Sequence, residues 1–267
     1  MLNLKNINLT FSKGTVDEKV LFSDFSLDIN KGDFVSVVGS NGSGKTTILN
    51  LISGDMKPDT GHILLEGRDI TKIPAYKRSA DIARVFQNPA FGTCSSMTVF
   101  ENMSIADNKL KPFNLSMGLN KKRKDFYCSQ LELLGIGLEN RLNAVVGTLS
   151  GGQRQALALI MATMVTPKLL LLDEHTAALD PKSSDTVMDL TLKIIEEKNI
   201  TTLMVTHNLR HAVSYGTRAV MMHDGNAVMD VSGQDKKAKS IDDFLKVFNE
   251  ISIECGNWWK FLKELKI

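Results

Sequence analysis

The spacing of hydrophobic and polar residues predicts a chain that opens with strands. Residues 2–11 carry apolar side chains at alternate positions, as does a strand with one buried face. Residues 25–29 alternate again after the polar loop 12–19. The turn-forming residues 30–33 then lead into a third apolar run, 35–38. This order predicts an antiparallel β patch ahead of a parallel core.

The rest of the chain alternates between strand and helix patterns. The predicted later strands are 61–66, 82–86, 169–172, 201–206, 219–222 and 226–231, and predicted helices include 48–52, 126–134, 181–198 and 241–251. The four consecutive leucines at 169–172 predict a strand buried on both faces, because a half-exposed strand would keep polar residues on one side. Strands alternating with helices indicate an α/β fold with a parallel sheet.

One long region departs from this alternation. Between 88 and 166 the pattern is helical, with few strand-like runs. We therefore interpret 88–166 as a helical subdomain inserted into a core made of 1–87 and 167–253, all within one domain. Residues 254–267 form an extension in which Trp258-Trp259-Lys260-Phe261-Leu262 is amphipathic. A short helix packed on the core and a contact with a partner subunit or membrane surface both remain open for it.

Composition places the chain among ordinary globular proteins. It has 267 residues, 43% hydrophobic and 23% charged, and a net charge of +2 that is too small to indicate a nucleic-acid partner. The basic clusters at 121–124 and 236–239 are expected to be solvated helix faces or loops, with phospholipid contact as the alternative. The three cysteines, Cys94, Cys128 and Cys255, lack metal-ligand spacing and are typical of free thiols in a reducing compartment. The N-terminus has no secretory layout, and the most apolar helix candidate, 156–165, has about half the length of a membrane span. We expect a cytosolic protein without a nucleic-acid partner.

The strongest chemical signal follows the third strand. The nine residues are Gly39, Ser40, Asn41, Gly42, Ser43, Gly44, Lys45, Thr46 and Thr47, within a strand–loop–helix pattern that fits the phosphate-binding motif G-x-x-x-x-G-K-T. Glycines let several backbone N–H groups point at a phosphate chain, and the helix start adds its positive dipole end. Lys45 would reach the β- and γ-phosphates, and the Thr46 hydroxyl would bind Mg²⁺. The alternative is an ordinary glycine-rich turn before a helix.

A second signal lies at the end of the leucine strand. Asp173 and Glu174 follow directly after 169–172, at the carboxyl end of the strand, where open α/β sheets bind ligands. Asp173 would hold Mg²⁺, and Glu174 would orient or deprotonate an attacking water. Taken alone, the pair could also be a solvated acidic turn. The phosphate-binding motif upstream favours the catalytic interpretation.

A third signal is a glycine pair where a helix begins. Ser150 and Gln153 have capping-box spacing, but capping does not explain Gly151 and Gly152, which each cost a helix about 1 kcal/mol relative to alanine. Close approach of an anion to exposed N–H groups explains them better. Because the chain already has one phosphate loop, this second anion-binding helix start would be useful if it faced nucleotide held by another copy.

These three segments together resemble a known family. The run LSGGQRQ, with GSNGSGKTT upstream and LLLLDEHTAALD downstream, resembles the nucleotide-binding ATPase subunits of ABC transporters, over nearly the whole chain. The resemblance implies a P-loop NTPase (RecA-like) α/β core with a parallel sheet, an N-terminal antiparallel β subdomain and an inserted α-helical subdomain. It implies ATP and Mg²⁺ as ligands. It also implies a head-to-tail pair of subunits, each holding ATP between its own phosphate loop and its partner's 150–153.

The resemblance assigns further site residues. Gln87 resembles the Q-loop glutamine, which contacts Mg²⁺ and the attacking water. His207 resembles the switch histidine that contacts the γ-phosphate, and Asp180 resembles the D-loop aspartate, although it also fits as an ordinary helix N-cap before Pro181. Phe11 falls where the family stacks an aromatic ring on adenine; core packing is the competing interpretation. For His175 no chemical role follows from the sequence.

Other ABC ATPases fit the sequence less well than a transporter motor. DNA-repair and chromosome types place a long coiled coil between the phosphate loop and the LSGGQ segment, whereas only about a hundred residues without heptads intervene here. Translation-type proteins carry two cassettes in one chain. A non-hydrolysing binding module is disfavoured because Glu174 and His207 are both intact.

Among transporters, several segments resemble the ATPases of bacterial tryptophan/tyrosine-type uptake systems. The segments are 11–19, 32–35, 92–93 and 173–178. This resemblance implies transmembrane permease subunits contacted near 88–101, an extracytoplasmic substrate-binding protein reached through the permease, and a position on the cytoplasmic face of the membrane. The competing interpretation is the ATPase of a lipoprotein or peptide exporter.

Overall fold

The computed structural model describes residues 1–111 and 118–254, with side chains as far as residue 249. The chain divides into two compact units. The first contains Met1–Arg78 and the chain from Thr201 onward, and the second is Ser79–Ile200. Each unit is described below by itself.

The described strands and helices follow the order that the sequence predicts. The strands are β1 (Leu2–Phe11), β2 (Lys19–Ile29), β3 (Phe34–Gly39), β4 (Thr60–Leu65), β5 (Arg68–Asp69), β6 (Ile82–Val85), β7 (Leu169–Asp173), β8 (Thr201–Val205), β9 (Arg218–His223) and β10 (Asn226–Ser232). The α-helices are α1 (Lys45–Ser53), α2 (Ala75–Arg78), α3 (Val99–Asp107), α4 (Lys124–Glu132), α5 (Gly151–Thr163), α6 (Pro181–Lys198), α7 (Leu209–Ser214), α8 (Gly233–Ala238) and α9 (Ile241–Glu254). The predicted α/β fold class is confirmed.

The first unit begins with the predicted antiparallel patch. Strand β1 pairs antiparallel with both β2 and β4, in the sheet order β2-β1-β4-β5. Strand β2 begins at Lys19, six residues before the predicted start. The reason is an irregularity: Asp24 has a φ of 58°, and the pairing register shifts beside it. A bulge of this kind interrupts the alternation on which the sequence prediction depends.

The same unit contains a parallel group of strands around β3. All six residues of β3 are buried, and β3 pairs in parallel with β8 and with β9. Strand β10 returns antiparallel to β9, which confirms the predicted late hairpin. Helix α9 covers this group by packing Phe244 and Phe248 against Val38 and Met221. These contacts fix the strand that leads into the phosphate-binding motif.

The second unit combines a strand pair with helices. Strands β6 and β7 are parallel, and every residue of β7 is buried, as the leucine run predicts. The described residues between 88 and 166 form helices and loops, apart from one bridge between Thr98 and Val145. The unit is wider than the predicted helical subdomain because it also contains β6, β7 and α6. The subdomain boundaries stay a prediction.

The prediction that the basic cluster 236–239 is exposed is wrong for Lys236. Its side chain is buried, and its Nζ donates to the carbonyl oxygens of Tyr215 and Gly216. A long side chain can bury its ammonium where backbone acceptors replace water, and the local sequence does not reveal such acceptors. Neighbouring Lys237 is exposed, as expected.

Three further sequence predictions concern the C-terminal tail, the cysteines and membrane-spanning helices. Helix α9 extends to Glu254, and the amphipathic tail and Cys255 lie outside the described residues. Cys94 and Cys128 are free thiols, as predicted. Among the helices of residues 1–111 and 118–254, none is both long and apolar enough to cross a bilayer.

Candidate functional site

The phosphate-binding motif folds as a strand, a tight loop and a helix. Strand β3 ends at Gly39 and α1 begins at Lys45. Gly44, the residue before the helix, has a φ of 101°, and a Cβ on it would lie 2.7 Å from the ring of Phe22. Only glycine satisfies both constraints, because a side chain there is strained and also clashes. The loop conformation therefore depends on the residue type that the motif specifies.

The helix that follows this loop has an open N-terminus. Helix α1 has no side-chain cap, whereas Thr98, Ser150 and Asp180 cap α3, α5 and α6. The first N–H groups of a helix have no partner inside it, and their positive dipole end attracts anions. An uncapped start directly after a glycine loop is therefore suited to a phosphate.

Lys45 occupies the interior of the loop. Its side chain is buried, and its Nζ donates to the carbonyl oxygens of Gly39 and Ser40 at 2.8 Å each. The buried Ser43 hydroxyl has no hydrogen-bond partner in the part of the chain that the structure describes. Thr46, by contrast, is exposed. The loop thus holds an ammonium within its curve and leaves the metal-ligand candidate open to solvent.

The two other predicted residues of the first unit lie at element ends. His207 is exposed and follows β8; the preceding Thr206 donates its N–H to the carbonyl oxygen of Val37 on β3. Because β3 and β8 are parallel neighbours, Gly39 and His207 lie at the same edge of these strands. Phe11 ends β1 with 36% of its surface exposed, so it is not a core residue. Phe11 therefore lies outside the buried core of this unit, and its role in stacking on adenine stays a prediction.

The acidic pair of the second unit lies at the end of β7. Asp173 is buried, and its Oδ2 accepts a hydrogen bond from Arg84 Nη2 at 2.5 Å. Glu174 is half-buried and has a φ of 47°, a conformation that costs a residue with a Cβ about 1–2 kcal/mol. Such strain is concentrated at functional sites. The sequence interpretation did not include Arg84, although a charge inside the apolar run 82–86 was a signal that it needed a partner.

Gln87 lies at the same edge as the acidic pair. Val85 of β6 is in register with Leu172 of β7, and Gln87 and Glu174 each follow two residues further along the chain. Gln87 is exposed. The residue before it, Phe86, accepts a hydrogen bond from the buried Gln155 side chain at its carbonyl oxygen, at 3.0 Å. The strand end is thereby connected to the helix that begins after Ser150.

The LSGGQ segment opens α5. Ser150 and Gln153 form the predicted capping box, with both reciprocal hydrogen bonds present. The structure also gives a local reason for the glycine pair. A Cβ on Gly151 would lie 3.2 Å from a methyl group of Leu179, and one on Gly152 would lie 3.3 Å from Ser183 Cβ. Tight packing within the unit therefore accounts for part of the glycine requirement, and a role toward another copy stays a prediction.

Asp180 and His175 flank the loop after β7. Asp180 caps α6 by accepting from the Ser183 N–H at 3.1 Å, and hydrogen bonds from the side chain and backbone of Ser183 lower its pKa. His175 is buried, with Nε2 3.2 Å from the Thr191 hydroxyl oxygen. That hydroxyl donates its single proton to the Val187 carbonyl, so Nε2 is the donor toward Thr191. His175 thus anchors the loop to α6.

Comparison with known proteins gives consistent matches. The family model described as ABC transporter matches residues 22–177. The tyrosine transport ATP-binding protein of Clostridioides difficile is 49% identical over 248 residues, which is 93% of this chain and 98% of that protein. Methionine import ATP-binding protein MetN 1 of Bacillus cereus is 34% identical over 235 residues, 85% of this chain and 64% of that protein.

A solved structure supports the same assignment. The ATP-binding cassette MJ0796, in a dimeric post-hydrolysis state bound to ADP and phosphate, is 29% identical to this chain with a TM-score of 0.73. The match covers 87% of this chain and 98% of that one. The family match extends over more than half of the sequence and includes the phosphate loop, the LSGGQ segment and the acidic pair. The chain therefore belongs to the ABC transporter family, as an ATP-binding subunit that hydrolyses ATP.

Proposed function

We propose that this chain powers the import of an aromatic amino acid such as tyrosine through a separate membrane permease. The observation that carries the motor role is the uncapped start of α1 beneath a glycine loop that encloses Lys45. The relative named for tyrosine transport, similar over 93% of this chain, supports the substrate class. The relative named for methionine import supports the direction.

The loop residues bind the phosphate chain in this proposal. Lys45 exchanges the carbonyl oxygens of Gly39 and Ser40 for β- and γ-phosphate oxygens, while the N–H groups of the loop and of the α1 start donate to the same phosphates. Phe11, exposed at the end of β1, stacks on the adenine ring. His207 donates to the γ-phosphate. Each of these residues lies in the first unit.

The second unit supplies the residues that act on water. Glu174 accepts a proton from the attacking water while the oxygen of that water bonds to the γ-phosphorus. The bond between that phosphorus and the β–γ bridging oxygen breaks, which yields ADP and phosphate. Gln87 orients the water. The φ of 47° at Glu174 fixes the backbone from which this carboxylate projects.

The donor set suits Mg²⁺. Asp173, Thr46 and Gln87 offer carboxylate, hydroxyl and amide oxygens, and hard oxygen donors together with substrate phosphates are the ligands that Mg²⁺ prefers. Among the described residues no group of three His, Cys, Asp or Glu could hold a metal alone. When bound, Mg²⁺ would neutralise charge on the β- and γ-phosphate oxygens.

We further propose that two copies assemble head to tail around two MgATP. Ser150, Gly151, Gly152 and Gln153 of one copy then contact the nucleotide held by the other, and Asp180 of each copy lies beside that contact. ATP binding brings the copies together and hydrolysis releases them. A permease that binds near 88–101 converts this cycle into transport, and it holds the subunits on the cytoplasmic face of the membrane.

Two variants test the motor role. Lys45→Ala should lose nucleotide binding, measured by titration with ADP, because it removes the charge opposite the phosphates. Lys31→Ala, which removes an exposed lysine of the same unit, is the matched control and should bind normally. Glu174→Gln should bind ATP and accumulate as a dimer in sedimentation experiments. Wild-type hydrolysis by Glu174→Gln would refute the assignment of the base.

A reconstituted system tests the cargo. The subunit and its permease are reconstituted into proteoliposomes. ATP is supplied on the side of the membrane that carries the subunit, and the substrate-binding protein is supplied on the opposite side. Tyrosine-loaded binding protein should raise ATP hydrolysis, and labelled tyrosine should accumulate on the side that contains ATP. Stimulation by a lipoprotein or peptide, with movement away from the ATP side, would identify an exporter instead.

A further inference from the structure

We propose that Arg84 is a resident counter-ion of Asp173, which exchanges this arginine for the metal when MgATP binds, and that Arg84 thereby sets how strongly the metal supports nucleotide binding. Arg84 and Asp173 lie on adjacent parallel strands of one unit. Their side chains are 11% and 13% exposed, and Nη2 lies 2.5 Å from Oδ2. This inference rests on the proposed function, because it concerns the same metal and nucleotide.

The pairing register of β6 and β7 places Arg84 within reach of Asp173. Arg84 pairs in register with Leu171, and its long side chain reaches two residues along β7 to the carboxylate at the strand end. Charged residues are seldom buried without a partner. Asp173 is nearly enclosed at the end of an entirely buried strand, so the arginine compensates a charge that would otherwise be costly.

A second contact holds the guanidinium in place. Arg84 Cζ lies 4.8 Å from the centre of the Phe86 ring, within the range of a cation–π interaction. The Phe86 ring in turn makes an edge contact with Phe91, with ring centres 5.8 Å apart. The planar guanidinium suits both partners, since it can stack on a ring while donating at its edge. These two contacts together orient Arg84 toward Asp173.

The contact between Arg84 and Asp173 competes with metal binding at the Asp173 carboxylate. A carboxylate that accepts from a guanidinium has fewer lone pairs available for metal-bound water. The positive guanidinium also repels a divalent cation at the same oxygen atoms, and this repulsion is strong where water is largely excluded. Asp173 therefore binds the metal only as Arg84 moves away or weakens its contact.

The position of Arg84 gives the exchange a route to other residues. It lies three residues before Gln87, on the strand whose end is connected through the Phe86 carbonyl to Gln155 of α5. A change in the Arg84 contact acts on the Phe86 ring that it covers. Arg84 is consequently a positioning residue: it acts through Asp173 and Phe86 and has no contact with substrate in this proposal.

The competition between Arg84 and the metal is tested by measuring nucleotide affinity with and without Mg²⁺. For the full chain, the dissociation constant of ADP is measured in EDTA and in saturating Mg²⁺. The constant in EDTA divided by the constant in Mg²⁺ is the factor by which the metal strengthens ADP binding. Arg84→Met should raise this ratio about tenfold, because the competing charge is gone. Arg84→Lys retains the charge and should stay near the wild-type ratio. Arg141→Met, which removes an exposed arginine of the same unit, should leave the ratio unchanged.

Two further measurements keep the test decisive. If Arg84→Met does not fold, Arg84→Gln replaces it, because a neutral amide can still donate to Asp173. In an Asp173→Asn background, the change at Arg84 should no longer affect the ratio, since its target is absent. An unchanged or lowered ratio in the neutral variants overturns the exchange, because a purely structural arginine affects ADP binding equally with and without metal. Failure of the wild type to bind ADP in either condition would instead refute the proposed function.

Discussion

Arg78 and Leu51 are joined by a buried hydrogen bond: the guanidinium Nη1 donates to the Leu51 carbonyl oxygen at 2.7 Å. The same nitrogen donates to the Ile52 carbonyl, while Nε donates to the carbonyl of Ile73 and Nη2 to that of Thr71. Leu51 and Ile52 belong to the last turn of the phosphate-loop helix, whose carbonyls have no partner within the helix. Burial lowers the pKa of Arg78, but the group remains charged because it starts far above neutrality.

Replacing Arg78 should therefore destabilise the first unit. Arg78→Met leaves four carbonyl oxygens without their donor and should lower the free energy of unfolding by about 2–4 kcal/mol. Arg78→Lys should cost about 1–2 kcal/mol, because a lysine cannot reproduce the planar set of donors. Urea denaturation measures both. Arg68→Met, at an exposed position of the same unit, is the control and should change stability by less than about 0.5 kcal/mol.

The backbone of Glu174 predicts a conflict between stability and activity. A φ of 47° is unfavourable for glutamate or glutamine, whereas asparagine tolerates it better. Glu174→Asn should accordingly be more stable than Glu174→Gln by about 0.5–1 kcal/mol, although both variants lose the carboxylate and hydrolysis. Thermal unfolding of the two proteins side by side gives the difference. Equal stability would mean that the strain at this residue is negligible.

Regular elements were predictable because their patterns are local. Helix α6 spans Pro181–Lys198 in the structure, the range predicted from its apolar spacing and the Asp-Pro start, and β7 is buried on both faces as its leucines indicate. Strand β2 was predicted too short because the irregularity at Asp24 breaks its alternation. Such an irregularity depends on how the strand pairs with β1, and the sequence of one strand does not contain that information.

The site was predictable in its residue types and incomplete in its contacts. The phosphate loop and the acidic pair follow motifs whose spacing is itself the signal. Arg84 and Lys236 were missed because their partners are distant in sequence: Asp173 lies 89 residues from Arg84, and Tyr215 lies 21 residues from Lys236. A buried charge predicts that some partner exists, whereas the fold determines which residue it is.

Gly152 offers a way to separate packing from nucleotide contact. Alanine at this helical position gains about 1 kcal/mol of helix propensity, and crowding against Ser183 Cβ at 3.3 Å offsets that gain. Gly152→Ala should therefore fold with nearly wild-type stability, and Gly152→Ala with Ser183→Gly should relieve the crowding. If the nucleotide of a second copy contacts this residue, ATP hydrolysis and ATP-dependent dimerisation should fall in both proteins. Full hydrolysis in the double variant would show that only local packing requires the glycine.

Lys236 predicts a dependence of stability on alkaline pH. Burial lowers the pKa of this lysine to about 8, well below its ordinary value. Between about pH 8 and pH 10.5 the unfolded chain then binds more protons than the folded chain, so this group adds stability as the pH rises through that range. The expected gain is about 1–2 kcal/mol, less than the full shift would give, because α8 has exposed neighbours and solvent screens the charge.

Comparison with a variant isolates this contribution from other groups that titrate at the same pH. The free energy of unfolding is measured in urea from pH 7 to pH 10.5 for the wild type, for Lys236→Met and for Lys237→Met, an exposed neighbour. The difference between wild type and Lys236→Met should grow in favour of the wild type above pH 8, while Lys237→Met should follow the wild-type curve. A constant difference would mean that the buried ammonium keeps its ordinary pKa. A difference that shrinks above pH 8 would mean that the Tyr215 and Gly216 carbonyls stabilise the charged form more than burial penalises it.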